Sequence, residues 1–99
     1  MRTMLKVRFP VKWSNEAVKS GVLEKTFGKM LEQLKPEAAY FFPDGGLRAA
    51  IFVFDMKDPS DIAVTAEPFF SALNAEVYLV PVMNAEDLKA GLGKLKKAG

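Results

Sequence analysis

Two cations stand two residues apart near the start of this chain, where they could act together on one ligand. Lys6 and Arg8 alternate with three apolar residues, and a period of two places the charged and apolar sets on opposite faces of a half-buried strand. An ammonium and a guanidinium in a largely apolar cavity suit a small organic anion or a phenolic ligand. The simpler interpretation, which we prefer, is that both cations extend to the rim of that surface or pair with Glu76 or Asp55 across a subunit contact.

Four other side chains are candidates for the same ligand site. Tyr40, Arg48 and Tyr78 lie in later predicted strands, and they could join the two cations if their strands present them on the same face. The sequence alone does not fix that parity. Trp13 precedes the first predicted helix, and packing, or a lid over a cavity, explains it better than a stacking platform does.

Two carboxylates are candidates for a catalytic base. Asp55 and Glu67 are predicted near a sheet edge, and either could accept a proton if it were desolvated. The competing interpretation places Asp55 at a strand end and Glu67 on a solvated helix face. Asp58 and Asp61 resemble a carboxylate pair, but helix capping accounts for both.

The composition excludes several classes of chemistry. The chain has 99 residues, enough for one domain, and contains neither cysteine nor histidine. It therefore has no thiol nucleophile, no thiolate metal site and no histidine-ligated haem. We expect no cofactor and no metal.

Location and charge point to an ordinary cytoplasmic protein. No secretory signal and no apolar stretch long enough to cross a bilayer is visible, so no membrane partner is expected. The net charge is +2, too small for a nucleic-acid footprint. Residues 1–35 are mainly basic, residues 36–87 mainly acidic and residues 88–99 basic. Either these segments interleave into a mixed surface, which we prefer, or basic and acidic faces meet across a subunit contact.

The first half of the chain predicts a strand and a helix. Residues 3–9 alternate as a strand and end at a proline. Ser14 or Asn15 can cap a helix whose apolar stripe runs to Lys35. A glycine at position 21 favours a bend or break there.

The second half predicts a hairpin, a helix, a strand and a final helix. Residues 38–42 and 47–54 are apolar runs separated by Pro-Asp-Gly-Gly, a strong hairpin signal, and the second run suggests a central strand covered on both faces. Asp58 begins a helix that should kink or split at Pro68. Residues 76–83 form an edge strand because they contain a proline.

The element order predicts the fold class. A capping box at Asn84 opens a C-terminal helix over residues 84–98, so the order is βαββαβ plus one helix. That order is the α+β, ferredoxin-like fold, in which both crossover helices cover one face of a four-stranded antiparallel sheet. We expect one domain over residues 1–99, with its core at 3–83, and a bare apolar sheet face that requires a partner.

The sequence also resembles the dimeric α+β barrel superfamily, in which two ferredoxin-like sheets pack face to face around a cavity. The resemblance covers about residues 3 to 83. It lies in the element order and in three stretches: Phe52-Val-Phe-Asp-Met-Lys-Asp-Pro-Ser, Ala66-Glu-Pro-Phe-Phe and Val77-Tyr-Leu-Val-Pro-Val-Met. Within the superfamily, the chain is most similar to small bacterial members without assigned chemistry.

The resemblance implies a homodimer that encloses a small-molecule cavity, with no assigned activity. Because relatives include cofactor-independent monooxygenases of antibiotic biosynthesis and muconolactone isomerase, an enzyme of that type is the alternative, and a structural assembly module without a ligand is another. RNA-binding and acylphosphatase proteins share the topology. The stretch Arg48-Ala-Ala-Ile-Phe-Val lacks the glycine and first aromatic of an RNA-recognition motif, and Phe9-Pro-Val-Lys-Trp offers no phosphate cradle.

Overall fold

The chain folds into a four-stranded antiparallel sheet with four helices, and the computed structural model describes residues 1–99. The elements are β1 (Arg2–Phe9), α1 (Val11–Ser20), α2 (Val22–Leu34), β2 (Ala38–Asp44), β3 (Leu47–Asp55), α3 (Asp61–Leu73), β4 (Glu76–Pro81) and α4 (Ala85–Ala98). The strand order is β2-β3-β1-β4. This order and the C-terminal helix fit the predicted ferredoxin-like fold.

The first helical segment differs from the prediction at its start and agrees at its break. Pro10 is extended (φ −60°, ψ 134°) and serves as the N-cap of α1, so the proline that ends β1 also begins the helix. Ser14 lies inside α1, where its amide donates to the Pro10 carbonyl at 2.9 Å. The predicted start at Ser14 or Asn15 is therefore wrong. Gly21 (φ 81°) separates α1 from α2, which confirms the predicted break.

A two-residue turn joins β2 to β3. Gly45 and Gly46 have φ values of 59° and 82°, and both positive angles match the primed turns that favour glycine. Asp44 pairs with Leu47 across the turn. This pairing confirms the hairpin and fixes which side chains of the two strands share a face.

The second half of the chain contains three corrections. Asp58 accepts hydrogen bonds from the amide and hydroxyl of Ser60, at 2.9 and 2.6 Å, and forms a turn before α3, which begins at Asp61. The helix is continuous through Pro68, so it does not split there. β4 is an edge strand, as predicted, but it ends at Pro81.

The helices α1, α2 and α3 cover one face of the sheet. Alternate residues of β1 are buried on that side, and they pack with side chains from the helices and β3. Phe27 of α2 lies at the centre of an aromatic cluster, with ring centroids 5.2 to 5.9 Å from those of Phe9, Phe41, Phe52 and Phe69. This single apolar layer is the core of the domain.

The opposite face of the sheet, here called the open face, has no helix packed on it within the chain. β3 is central, as predicted, but the helices cover only one of its faces: Ile51 and Val53 on the other side remain half-buried. The edge strands expose larger side chains there, including Tyr40, Tyr78 and Val80. The expectation that β3 is covered on both faces is therefore not met in the single chain.

The last helix stands apart from the rest of the domain. Asn84 and Asp87 form the predicted capping box, with reciprocal hydrogen bonds of 2.8 and 3.1 Å, but no residue of α4 is buried. The Cα radius of gyration is 16.0 Å, compared with about 13 Å for a compact domain of this length. None of the four helices combines the length and apolar character needed to cross a membrane.

Candidate functional site on the open sheet face

The pairing register places four of the predicted ligand-binding residues on the open face. Lys6 lies between Ile51 of β3 and Tyr78 of β4, and Tyr40 of β2 lies on the other side of Ile51. Arg8 follows two residues after Lys6 and therefore shares its face. Lys6, Arg8, Tyr40 and Tyr78 are thus presented together by β1, β2 and β4.

Ion pairs join the two cations to both edges of the sheet. The Lys6 ammonium lies 2.7 Å from the Asp44 carboxylate, and the Arg8 Nε atom lies 3.3 Å from the same oxygen. On the other side, Arg8 Nη1 lies 3.6 Å from Glu76, which accepts a hydrogen bond of 2.6 Å from the Tyr78 hydroxyl. We call Lys6, Arg8, Asp44, Glu76 and Tyr78 the open-face cluster.

A small residue allows the cluster to cross the sheet. Ala49 of β3 lies directly beside Arg8 and is only 5% exposed, so the arginine side chain passes over it to reach β2. A longer side chain at position 49 would occupy that path. Phe42 pairs with Ala49 from the other side and therefore lies on the same face of the sheet as the cluster.

The hairpin turn holds the guanidinium in a tight position. Arg8 Nη2 donates to the Asp44 carbonyl at 3.4 Å, and a Cβ atom at Gly45 would lie 3.0 Å from Nη2. The Arg8 Nε–H is buried and donates no hydrogen bond, despite its distance of 3.3 Å from Asp44. Gly45 is therefore needed both for its positive φ and for the close approach of Arg8.

The cluster is electrically balanced, and its contacts shift two pKa values. The hydrogen bond from Lys6 lowers the pKa of Asp44, and the charge of Arg8 contributes in the same direction. The hydrogen bond to Glu76 raises the pKa of Tyr78, so the phenol stays protonated. Two cations and two carboxylates sum to no net charge, which agrees with our preferred interpretation of paired cations, although the pairs form within one chain.

Arg48 lies on the opposite side of the sheet from the open-face cluster. Its backbone pairs with Phe9 and Pro43, and its guanidinium donates to Val11, Ser14 and Asn15 of α1. Arg48 therefore does not join Lys6 and Arg8.

Trp13 and the two candidate bases also lie away from the cluster. Trp13 is 41% exposed on α1, and Glu67 lies exposed on α3. Asp55, at the end of β3, binds Lys57 and the Met1 ammonium at 2.6 and 2.7 Å. Hydrogen bonds from Lys57 and then from that ammonium lower the pKa of Asp55 to about 2.

The basic first segment and the acidic second segment interleave within the chain. Arg2 of β1 binds Glu37 and lies 3.3 Å from Asp87 of α4, and Lys6 and Arg8 bind acids from later strands. The mixed-surface interpretation of the charge segments thus describes the single chain.

Asp44 is the functional candidate that sequence reasoning missed. The sequence pattern places it in the turn, yet it contacts both cations of the cluster. Two adjacent glycines predict a two-residue turn, and that turn alone would have placed Asp44 on the face of Tyr40, four residues earlier in the same strand.

Comparison with known proteins adds no assignment. A scan against models of protein families finds no match to this sequence, and a search of curated proteins finds no similar chain. A function for this chain is therefore proposed from the geometry of its own residues.

Proposed function

We propose that this chain forms a homodimer through its open face, in the manner of a dimeric α+β barrel, and binds a small phenolic molecule between the two sheets. The observation that carries the proposal is the open face itself. It combines exposed aromatic and aliphatic side chains with a charge-balanced polar cluster at its centre. Large exposed apolar surfaces of this kind mark interaction sites.

The exposure of the edge strands supports a second copy as the partner. Tyr40 is 67% exposed, Tyr78 45% and Val80 41%, and all three point to the same side of the sheet. A two-fold contact would cover these side chains on both chains at once, because an isologous interface uses the same patch twice.

The position of α4 supports the same partner. Its leucines at positions 88, 92 and 95 share one helical stripe and are exposed, while two glycines weaken the helix. A 14-residue helix of this kind is marginal in water unless it packs on something. Asp87 in the first turn of α4 contacts Arg2, which lies on the open face because it has the same strand parity as Lys6. A second sheet packed on the open face would therefore lie against α4.

The balance of the open-face cluster favours a phenolic ligand over an organic anion. An anion would compete with Asp44 and Glu76 for Lys6 and Arg8, whereas a neutral phenol can donate to a carboxylate and accept from a cation. The rings of Tyr40 and Phe42 provide apolar surface for its body.

Binding is better supported than base catalysis. A carboxylate with a pKa near 2, such as Asp55, is a weak proton acceptor near neutral pH. The raised pKa of Tyr78 keeps its phenol as a hydrogen-bond donor. The hydrogen bond from Lys6 also holds the pKa of Asp44 below its usual value, so neither Asp44 nor Tyr78 is poised to remove a proton near neutral pH, as a monooxygenase or isomerase of the alternative type would require.

A titration with naphthol, monitored by backbone amide chemical shifts, tests the proposal. We expect the shifts to concentrate on β1, β3 and β4 around Lys6, Ile51 and Tyr78. Ile51→Lys should abolish both dimer formation and naphthol binding, because it adds a cation at the centre of the face. Ile62→Lys, an equivalent change on the exposed surface of α3, should affect neither.

Two outcomes of this titration would count against a ligand site on the open face. A dimer that binds no naphthol and whose interface is filled by side chains would identify an assembly module. Naphthol shifts that map only to the helical side of the sheet, with none around Lys6, Ile51 and Tyr78, would contradict the proposed site.

A further inference from the structure

An open, mainly apolar cavity lies where the β2–β3 hairpin meets α1 and α2, on the side of the sheet that carries Arg48. It has a volume of about 460 Å³, within the range of roughly 300–1,000 Å³ of small-molecule sites. Its walls are mainly apolar, with Arg48 as the only charged residue. We call this cavity the Arg48 pocket and define it by Phe9, Val11, Leu23, Phe27, Phe41 and Arg48.

One wall of the Arg48 pocket is exposed although it belongs to the aromatic cluster. The Phe41 ring packs edge-on against Phe27 with centroids 5.2 Å apart, yet Phe41 is 55% exposed. Val11 at the other side is 39% exposed. An apolar ligand in the pocket would cover both side chains, and aromatic walls favour a ligand with a ring of its own.

The guanidinium of Arg48 is held rigidly by neutral groups. Nη1 donates to the Val11 carbonyl at 3.2 Å and to the Ser14 hydroxyl at 2.6 Å. Nη2 donates to the Asn15 side-chain oxygen at 3.1 Å. These contacts orient the side chain without neutralising its charge, since Arg48 takes part in none of the ion pairs of the chain.

The remaining donors of Arg48 match a carboxylate. A guanidinium has five N–H groups, so three hydrogen bonds leave one N–H on Nε and one on Nη2. Paired N–H groups of this kind bind the two oxygens of a carboxylate side by side. The adjacent start of α1, which has no side-chain cap, adds positive potential at the same end of the pocket.

We propose that the Arg48 pocket binds a small arylalkyl carboxylic acid, with its carboxylate on Arg48 and its ring among the phenylalanines. A phosphate monoester fits less well, because two free N–H groups leave part of its charge without a donor. Its proposed anchor, Arg48, lies on the face of the sheet opposite Lys6 and Arg8, although the pocket shares Phe42 and Ala49 with the border of the open-face cluster.

Calorimetric titration of the full chain with phenylbutyrate, and with the uncharged phenylbutyramide, tests the proposal. We expect the acid to bind and the amide to bind at least about tenfold more weakly, because charge-assisted hydrogen bonds are the stronger ones. Amide chemical shifts should change at Val11, Ser14 and Gly46. Arg48→Gln should reduce acid binding to the level of the amide, while Lys94→Gln, which removes the same charge from α4, should leave it unchanged.

The comparison of acid with amide on the unmodified chain remains decisive even if Arg48→Gln fails to fold. Equal binding of the two compounds, no binding of the acid at millimolar concentration, or shifts confined to the open face would each overturn the proposal. Ile51→Lys, the variant designed to break the dimer, should bind phenylbutyrate normally. Failure of the dimer cavity and failure of the Arg48 pocket are thus distinguishable.

Discussion

The turn between β2 and β3 offers a sharp test of how the open-face cluster is built. Gly45→Ala should destabilise the protein for two separable reasons. A residue other than glycine at positive φ costs about 1 kcal/mol or somewhat more, and the new Cβ would lie 3.0 Å from Arg8 Nη2. Because contacts with Asp44 and Glu76 hold Arg8, the guanidinium cannot move without weakening the cluster.

Gly46→Ala is the matched control, because nothing lies within 4 Å of a Cβ at that position. Its φ of 82° is farther from the left-handed minimum near 57°, so its backbone cost differs from that of Gly45. The informative quantity is therefore how each cost changes when Arg8 is shortened to alanine. We expect the Gly45→Ala penalty to fall by several tenths of a kcal/mol, or about 1 kcal/mol at most, which is typical of coupling between residues in contact. The Gly46→Ala penalty should stay the same.

Urea unfolding of Gly45→Ala and of Gly46→Ala, each in the wild-type background and in the Arg8→Ala background, measures the two penalties and how each depends on Arg8. A total cost near 1 kcal/mol corresponds to a decrease in Tm of about 4–8 °C for a domain of this size. If the Gly45→Ala penalty were identical with and without Arg8, the guanidinium would not lie over the turn, and the described geometry of the cluster would be refuted.

Three further changes have defined outcomes. The lowered pKa of Asp55 means that its contribution to stability is present above the unfolded value of 3.8 and is lost as pH falls through about 2. In acid unfolding, the stability difference between the wild type and Asp55→Asn should therefore persist at neutral pH and shrink as pH falls from 3.8 to about 2. Phe69→Ala should cost about 3–5 kcal/mol in urea unfolding, because the ring is fully buried beside Phe27 and Phe52; a cost below about 1 kcal/mol would contradict the packing. Asn84→Ala should lower the helicity of α4 in circular dichroism and amide exchange, since a lost cap costs about 0.5–2 kcal/mol; unchanged exchange in α4 would show that the capping box does not hold it.

Local signals in the sequence accounted for most of the fold. Alternation defined β1, two adjacent glycines defined the hairpin, and Asn84 with Asp87 defined the start of α4. The start of α1 was missed because Pro10 satisfies two roles at once, ending a strand and capping a helix without a side-chain hydrogen bond.

The candidate site was only partly predictable, because it depends on pairing between distant strands. Parity within β1 correctly grouped Lys6 with Arg8. The length of the hairpin turn could have placed Arg48 opposite Pro43, on the face away from Tyr40. The alignment of β1 with β3 and β4, however, depends on long-range packing that no local pattern encodes. The sequence suggested Glu76 as a partner of Arg8 across a subunit contact, but the pairing within one chain and the contact with Asp44 emerged only from the structure.

The association state of the chain tests the central claim most directly. The monomer has a mass of 10.9 kDa, and sedimentation equilibrium at micromolar concentration should give twice that mass for the wild type. Ile51→Lys on the open face and Leu92→Glu on α4 should shift the mass towards the monomer, whereas Ile62→Lys should not. A folded wild-type chain that sediments as a monomer at this concentration would contradict the account.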